Sequence, residues 1–427
     1  MSSPPEAQVG SLLPTASPHE PHELSDPPAV PLSLFGFEFS LDTAPLDALE
    51  VAARSVTPTQ VGEWFSRSPG TEEVALLSTC HRVELAVLAR YPDERGRWEE
   101  LLPGPRASWR LREGREVVRH LFRVAAGRES LAVGEAEVRH QVRAAGSSVL
   151  SRHPRPVLRG LFGGAASAAD RLAPSVPASR SIAAIAAARL LRLVGPPHPR
   201  VLVIGSGTVG RQVVESLCDS ARVTVMFHLR APEESFLRST GARAQPLERL
   251  SEEIVGADAV ITAAKFGNHG LHASDLPRDR PLVLVDLGVP RNIDPEVREL
   301  ENVRLVDLEE LHSLCGSGPG ADAEDAQVDE LAACFSDRLD RLLLEPWVGG
   351  IRRAAEDLRR AELARARSFL GTLEPDQEVA LDRLTQRLVA RLLLAPTERV
   401  RSLPAGPRGD LQRRFALELL RPAPPDP

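Results

Sequence analysis

The segment that most constrains this chain begins with an apolar run, Val201-Leu202-Val203-Ile204, which passes directly into Gly205-Ser206-Gly207-Thr208-Val209-Gly210. Four consecutive aliphatic residues bounded by glycine read as a buried strand. Residues 211–218 then read as a helix, and residues 222–227 as a second strand. Glycines at this spacing allow a tight turn, a close backbone approach to a pyrophosphate, and close packing of helix on strand. The helix N-terminus offers oriented N–H groups to the phosphates. A glycine turn of purely structural use is the plainer alternative, but strand, loop, helix and strand in this order favour a Rossmann-type dinucleotide-binding domain over residues 198–312. Gly205, Ser206, Gly207, Thr208, Val209 and Gly210 would then line the cofactor. The first charged residue after the second strand is Arg230, where a domain that prefers NAD usually carries a carboxylate. A guanidinium there suits a 2′-phosphate and points to NADPH; its plainer reading is a solvated loop charge.

With 427 residues the chain is too long for one compact core and is expected to form two or three domains, α/β in class. No stretch approaches the roughly 20 apolar residues of a membrane span, and the N-terminus has neither a basic nor an apolar signal region, so a cytoplasmic protein with no membrane association is expected. A net charge of −7 gives no global attraction to nucleic acid. Cys80, Cys218, Cys315 and Cys334 are scattered without the spacing of a zinc site or a disulfide framework, so no metal is expected and a working thiol is open.

The proline-rich residues 1–30 read as a disordered tail. Residues 31–175 show an α+β pattern: a strand near 33–39, a helix near 58–66, two short strands flanking Thr79 to Arg82, and helices near 116–126 and 135–150. An alanine-rich helix at 180–193, within a 176–197 connector, leads into the nucleotide domain. Residues 313–327 read as a linker, 328–405 as helices, and 406–427 as a C-terminal tail. Heptad-like leucines at 331–344 and 381–394 suggest paired helices that bury their stripes against each other or a second subunit, making a dimer the natural expectation. Arg352, Arg353, Arg359, Arg360, Arg365, Arg367, Arg383, Arg387 and Arg391 gather there; they read equally as a phosphate-binding surface or as a solvated, ion-paired helix.

A second chemical feature is Thr79-Cys80-His81-Arg82, a polar turn between two apolar strands. A thiolate beside cationic groups is stabilised and can attack an acyl carbon, although a cysteine is more often a small core residue. Further on, His120 opens a helical stretch, and Ser130, Glu135 and Gln141 cluster behind it. Alone, these are a satisfied helix histidine and a solvated helix face.

Together these segments resemble the glutamyl-tRNA reductase family. The likeness runs over residues 32–403, through 77–84, 120–141, 201–210 with Arg230, 285–295 (VDLGVPRNIDP), 306–311 and 384–397 (LTQRLVARLLLAPT). The resemblance implies an N-terminal catalytic domain, a long spinal helix, a Rossmann NADPH-binding domain and a C-terminal helical dimerisation domain. It implies NADPH-dependent reduction of glutamyl-tRNA to glutamate-1-semialdehyde for tetrapyrrole synthesis, with glutamyl-tRNA and an aminotransferase as partners. Cys80 matches the family's nucleophile, which forms a glutamyl thioester, and His120 a histidine that manages the thiol proton or polarises the carbonyl. Arg82 would hold the substrate carboxylate. Thr79, His81, Ser130, Glu135, Ala136, Glu137 and Gln141 match substrate-contact positions.

The chain departs from the family pattern where His81 replaces asparagine, where Ala136-Glu137 replace Pro-Gln, and where Leu41 and Leu49 stand in place of histidine and arginine. The alternative these changes support is a regulatory or binding homologue with impaired catalysis. An unrelated small-molecule dehydrogenase would leave the cysteine turn without a role.

Overall fold

A computed structural model describes residues 32–90, 94–130, 136–172, 181–195, 197–264, 270–314, 321–371 and 373–403, with Gln412, Phe415 and Ala416. Residues 1–30, Glu135, Cys315 and the side chain of Ala136 lie outside them.

The N-terminal unit contains β1 (Ser33–Ser40), α1 (Leu46–Ser55), α2 (Pro58–Ser66), β2 (Thr71–Ser78), β3 (Arg82–Ala89), α3 (Glu94–Leu101), β4 (Arg110–Glu113), α4 (Arg115–Ala125), α5 (Ala136–Ser147), β5 (Leu150–Ser151) and α6 (Val157–Leu172). Its antiparallel sheet has the order β4-β1-β3-β2-β5, which makes β3 a central strand whose every residue is buried. One face carries α4, α5 and α6 over Leu77, Leu88, Val118, Leu121 and Phe162. The other carries α1, α2 and α3 over Phe37, Phe39, Leu49, Trp64 and Trp98. The α2 boundary follows from Thr57, whose hydroxyl accepts from the Gln60 N–H, and from Pro58 in the first turn.

The nucleotide unit comprises α7 (Ile182–Val194), β6 (Arg200–Ile204), α8 (Thr208–Leu217), β7 (Arg222–Phe227), α9 (Glu234–Thr240), β8 (Arg243–Pro246), α10 (Leu250–Ile254), β9 (Ala259–Thr262), β10 (Leu282–Asp286), β11 (Val303–Val306) and α11 (Leu308–Leu314). Its six parallel strands run β11-β10-β9-β6-β7-β8, the doubly wound order in which the chain reverses direction beside β6.

Two expectations change. The helix in the 176–197 stretch is no long connector: α7 has 13 residues, and its stripe Ile182, Ala183, Ala186, Ala187 and Leu190 is buried in the nucleotide core. The long helix is α12 (Ala321–Leu370), whose 50 residues span about 75 Å and begin inside the expected linker. Nor do the two heptad stripes bury against each other. Val328, Ala332 and Leu339 of α12 join the core over α4 and α6, while Arg115, Arg119, Arg123 and Arg128 pair with Asp325, Asp329, Asp337 and Asp340 along the same seam. The second stripe, on α13 (Pro375–Ser402), leaves Leu384, Leu388 and Leu392 58–65% exposed. Leucines at i, i+4 and i+8 left in water need another surface to cover them. No helix among the described residues is long and apolar enough to cross a membrane.

Candidate active site

The hairpin between β2 and β3 carries Cys80 at its tip. The Thr79 N–H donates to the Arg82 carbonyl at 2.9 Å, and the Thr79 hydroxyl accepts from the His81 N–H at 3.3 Å, so Thr79 shapes the turn. Cys80 is half-buried, and its Sγ lies 3.7 Å from His81 Nδ1.

Behind the tip, β3 brings ionisable groups into the sheet's interior. Register sets Glu84 directly opposite Glu38 of β1, a like-charge pair that is unfavourable unless cations lie between them. Arg82 and His120 supply charge to Glu84: Arg82 Nη1 is 2.8 Å from Glu84 Oε1, and His120 Nε2 is 3.0 Å from the same oxygen. Arg112 pairs with Glu38. His120 Nδ1 also meets Glu129 at 2.7 Å, and Arg82 donates to the Glu129 carbonyl. Three carboxylates (Glu38, Glu84, Glu129) thus face three cations (Arg82, Arg112, His120).

This balance sets the titration of each member. Burial opposes charge on His120, but Glu84 and Glu129 more than offset it and raise its pKa to about 9, so it is an imidazolium. Burial likewise opposes charge on Glu84, yet His120 and Arg82 hold its carboxyl well below the usual range. His81 behaves oppositely: burial and then the Arg82 charge push it down to about 3, leaving a neutral ring. Glu38, Glu84 and His120 have ligand atoms within 4.8 Å of one another, but their lone pairs and charges are already taken by the network.

The sequence-based site residues separate into two groups. Arg82 has no exposed side-chain surface, and Glu84, His81 and Glu129 occupy its donors, which removes it from direct contact with a substrate carboxylate. His81 is 3% exposed and similarly enclosed. Among the described residues, Ser130 Oγ and Gln141 Oε1 are buried polar atoms without a hydrogen-bond partner. Glu137 stands in the first turn of α5, where a carboxylate complements the helix dipole. Leu49 is fully buried in the apolar core, and Leu41 packs beside it. Sequence reasoning gave no role to Glu38, Glu84, Arg112 or Glu129. The readable signal was Arg82 and Glu84 two apart in an otherwise apolar strand, since buried charges require partners.

The cofactor loop follows β6. Gly205 has φ +121°, and a Cβ there would lie 2.7 Å from the Ala263 carbonyl oxygen. A Cβ on Gly210 would lie 2.1 Å from the Gly205 oxygen, so only glycine lets α8 start this close to the strand. Gly207 and Thr208 are exposed, a Cβ at Gly207 would face open space, and the first N–H groups of α8 point that way. The Ser206 hydroxyl donates to the Arg230 carbonyl at 2.7 Å, tying the loop to the segment after β7 and leaving the Arg230 side chain exposed. These features fit a dinucleotide pyrophosphate.

Two clamps join the N-terminal unit to the nucleotide unit. The buried Asp286 carboxylate, its pKa raised by burial, accepts from Thr262 Oγ1 (2.7 Å) and from the N–H groups of Gly288 (2.9 Å), Asn292 and Ile293 (both 2.8 Å). That carboxylate folds the 287–293 loop so that Arg291 forks onto Glu50 of α1, at 3.0 and 2.9 Å. His312 of α11 meets Asp42 at 3.2 Å. Leu41, Cys80 and Val289 therefore pack against the apolar cluster that includes Leu287 and Leu311, beyond the carboxyl ends of the parallel strands.

Three family models match in order along the chain: "Glutamyl-tRNAGlu reductase, N-terminal domain" over residues 38–175, "Shikimate / quinate 5-dehydrogenase" over 194–314, and "Glutamyl-tRNAGlu reductase, dimerisation domain" over 323–421. A glutamyl-tRNA reductase from Rubrobacter xylanophilus is 30% identical over 390 residues, covering 84% of this chain and 90% of that protein. The chain belongs to the glutamyl-tRNA reductase family. Another relative, from Salinispora arenicola, is 30% identical over 90% of this chain and 92% of its own length. The solved glutamyl-tRNA reductase of Methanopyrus kandleri is 26% identical, with a TM-score of 0.50 over 91% of this chain and 98% of that structure. The family's dimerisation segment contains the exposed leucine stripe of α13. Of the nine helical arginines, Arg359 is buried against Glu356 and Asp382, and Arg360, Arg365 and Arg367 pair with Glu356, Glu362 and Glu378, whereas Arg352, Arg353, Arg383, Arg387 and Arg391 are exposed.

Proposed function

We propose that this chain reduces glutamyl-tRNA to glutamate-1-semialdehyde with NADPH, through a thioester on Cys80. Reduction of glutamyl-tRNA on the path to tetrapyrroles is the family's activity, and a Rossmann-like domain that takes a nicotinamide cofactor is part of its fold. The observation that carries the assignment to Cys80 is its place, half-buried on a rigid turn against the carboxyl ends of the nucleotide sheet.

The Cys80 thiolate attacks the ester carbonyl carbon. An S–C bond forms, the C–O bond to the terminal ribose breaks, and that oxygen leaves with a proton as the tRNA hydroxyl. The 205–210 loop would hold a reduced nicotinamide cofactor, whose chemistry when bound would be hydride donation to the thioester carbon, giving the aldehyde and freeing the thiolate of Cys80. Ser130 and Gln141 offer polar atoms to the glutamyl group, and Glu135, Ala136 and Glu137 complete the substrate-contact set that the family resemblance implies. Arg82, Glu84, Glu129 and His120 hold the turn rigid from behind, so His120 acts as a fixed positive charge rather than a proton shuttle. The exposed Arg230 would hold the 2′-phosphate of NADPH. Two copies pair through the 323–421 segment, and an aminotransferase receives the aldehyde.

The test is semialdehyde formation from glutamyl-tRNA and NADPH by wild type and Cys80→Ser, with product from wild type alone as the expected outcome. A wild type that binds NADPH and makes no product favours the regulatory reading, for which the departures at His81 and Glu137 are the grounds.

A further inference from the structure

We propose that His81 carries its ring proton on Nδ1 and donates it as a hydrogen bond to the Cys80 sulfur, so that it stabilises the thiolate and does not act as its base. The inference deepens the reading of Cys80 as nucleophile and rests on it. Its physical ground is a donor count. A guanidinium has five N–H donors and no acceptor. His81 Nε2 lies 3.2 Å from Arg82 Nε and 3.1 Å from Arg82 Nη2, so against Arg82 it can only present its lone pair. The Glu129 carbonyl, 3.2 Å from the same nitrogen, receives its hydrogen from Arg82 Nη2.

A neutral imidazole has one donor and one acceptor nitrogen. With Nε2 accepting, the proton is on Nδ1, which lies 3.7 Å from Cys80 Sγ, within reach of a hydrogen bond to sulfur. The ring stays neutral because burial and then the adjacent Arg82 charge disfavour its protonation, against the opposing pull of the Glu129 carbonyl and Glu84. Such a ring has no nitrogen free to take the thiol proton, which must therefore leave to solvent before attack. His81 is a positioning residue that passes the field of the buried Arg82 to the sulfur, and the adjacent cysteine and histidine are not a general-base pair.

The experiment follows iodoacetamide alkylation of the Cys80 peptide by mass spectrometry, as a function of pH, in the full chain without substrate. Wild type should show a single thiol titration below the ordinary value near 8.5, without an inflection in the histidine range. In His81→Asn the amide nitrogen places an N–H close to where Nδ1 stood, and the midpoint should stay within about half a unit of wild type. In His81→Leu it should rise by about one unit, making alkylation near pH 7 about tenfold slower. An asparagine variant that still binds NADPH but shifts as far as leucine overturns the proposal. So does a histidine inflection in wild type, a readout that holds even if the leucine variant fails to fold. Semialdehyde assays on the same preparations separate the two readings. Cys80-dependent turnover without the His81 shift sinks only the role of His81; the shift without turnover upholds that role and sinks the enzymatic reading.

Discussion

In the nucleotide sheet, β6, β9 and β10 bury aliphatic side chains, with Thr262 and Asp286 as the polar exceptions at their carboxyl ends, and binding falls to the glycine backbone after β6. In the N-terminal sheet, the adjacent strands β1 and β3 carry Glu38, Arg82 and Glu84 into the interior. One sheet makes its site from missing side chains, and the other from side chains that are costly to bury. The first is sensitive to added volume; the second is sensitive to lost charge.

On the glycine side the expected effect is loss of cofactor binding. Gly210→Val puts atoms where even a Cβ meets the Gly205 oxygen at 2.1 Å, and NADPH affinity should fall about 100-fold or more in a fluorescence titration. Cys80 alkylation should be unchanged, and a parallel loss would show that the two regions are not separable. On the charge side, Arg82→Leu leaves Glu84 and Glu129 short of a buried partner and should cost about 4 kcal/mol in denaturant unfolding.

The same network gives a pH signature. The folded pKa of His120, about 9, lies above its unfolded value of 6.5, so its contribution is fully present below pH 6.5 and is lost as pH rises through 9. It amounts to about 3 kcal/mol. Melting temperature should drop between pH 7 and 10 in wild type more than in His120→Gln; equal drops would remove His120 from the network. The smallest effect is at the cofactor's edge. Arg230→Ser should weaken NADPH binding by about tenfold and leave NADH unchanged, as loss of one charge-assisted contact requires.

What the sequence made legible follows this division. The glycine turn was readable because the motif is contiguous and the demand at Gly210 comes from Gly205 five residues earlier, whereas the contact of Gly205 with Ala263 belongs to the assembled sheet. The strands beside Cys80 and the helix at Pro58–Ser66 were readable for the same reason. The ion network was not, because Glu84 and His120, or Arg82 and Glu129, are 36 and 47 residues apart and meet only once the sheet order is set. Arg82 shows the cost: the family resemblance implied a substrate clamp, but its place on the central strand encloses it. The leucines at 331–344 signalled a buried stripe without saying what buries it, and the partner is α4 with α6 rather than α13.

The central claim is that Cys80 carries the glutamyl group, and the most direct measurement omits the reductant. Mixing the full chain with glutamyl-tRNA alone should release tRNA and leave one glutamyl group on the Cys80 peptide by mass spectrometry, sensitive to hydroxylamine and discharged as semialdehyde when NADPH is added. An unmodified Cys80, with the tRNA still acylated in a preparation that makes semialdehyde once NADPH is present, would contradict the thioester and require direct hydride attack on the ester.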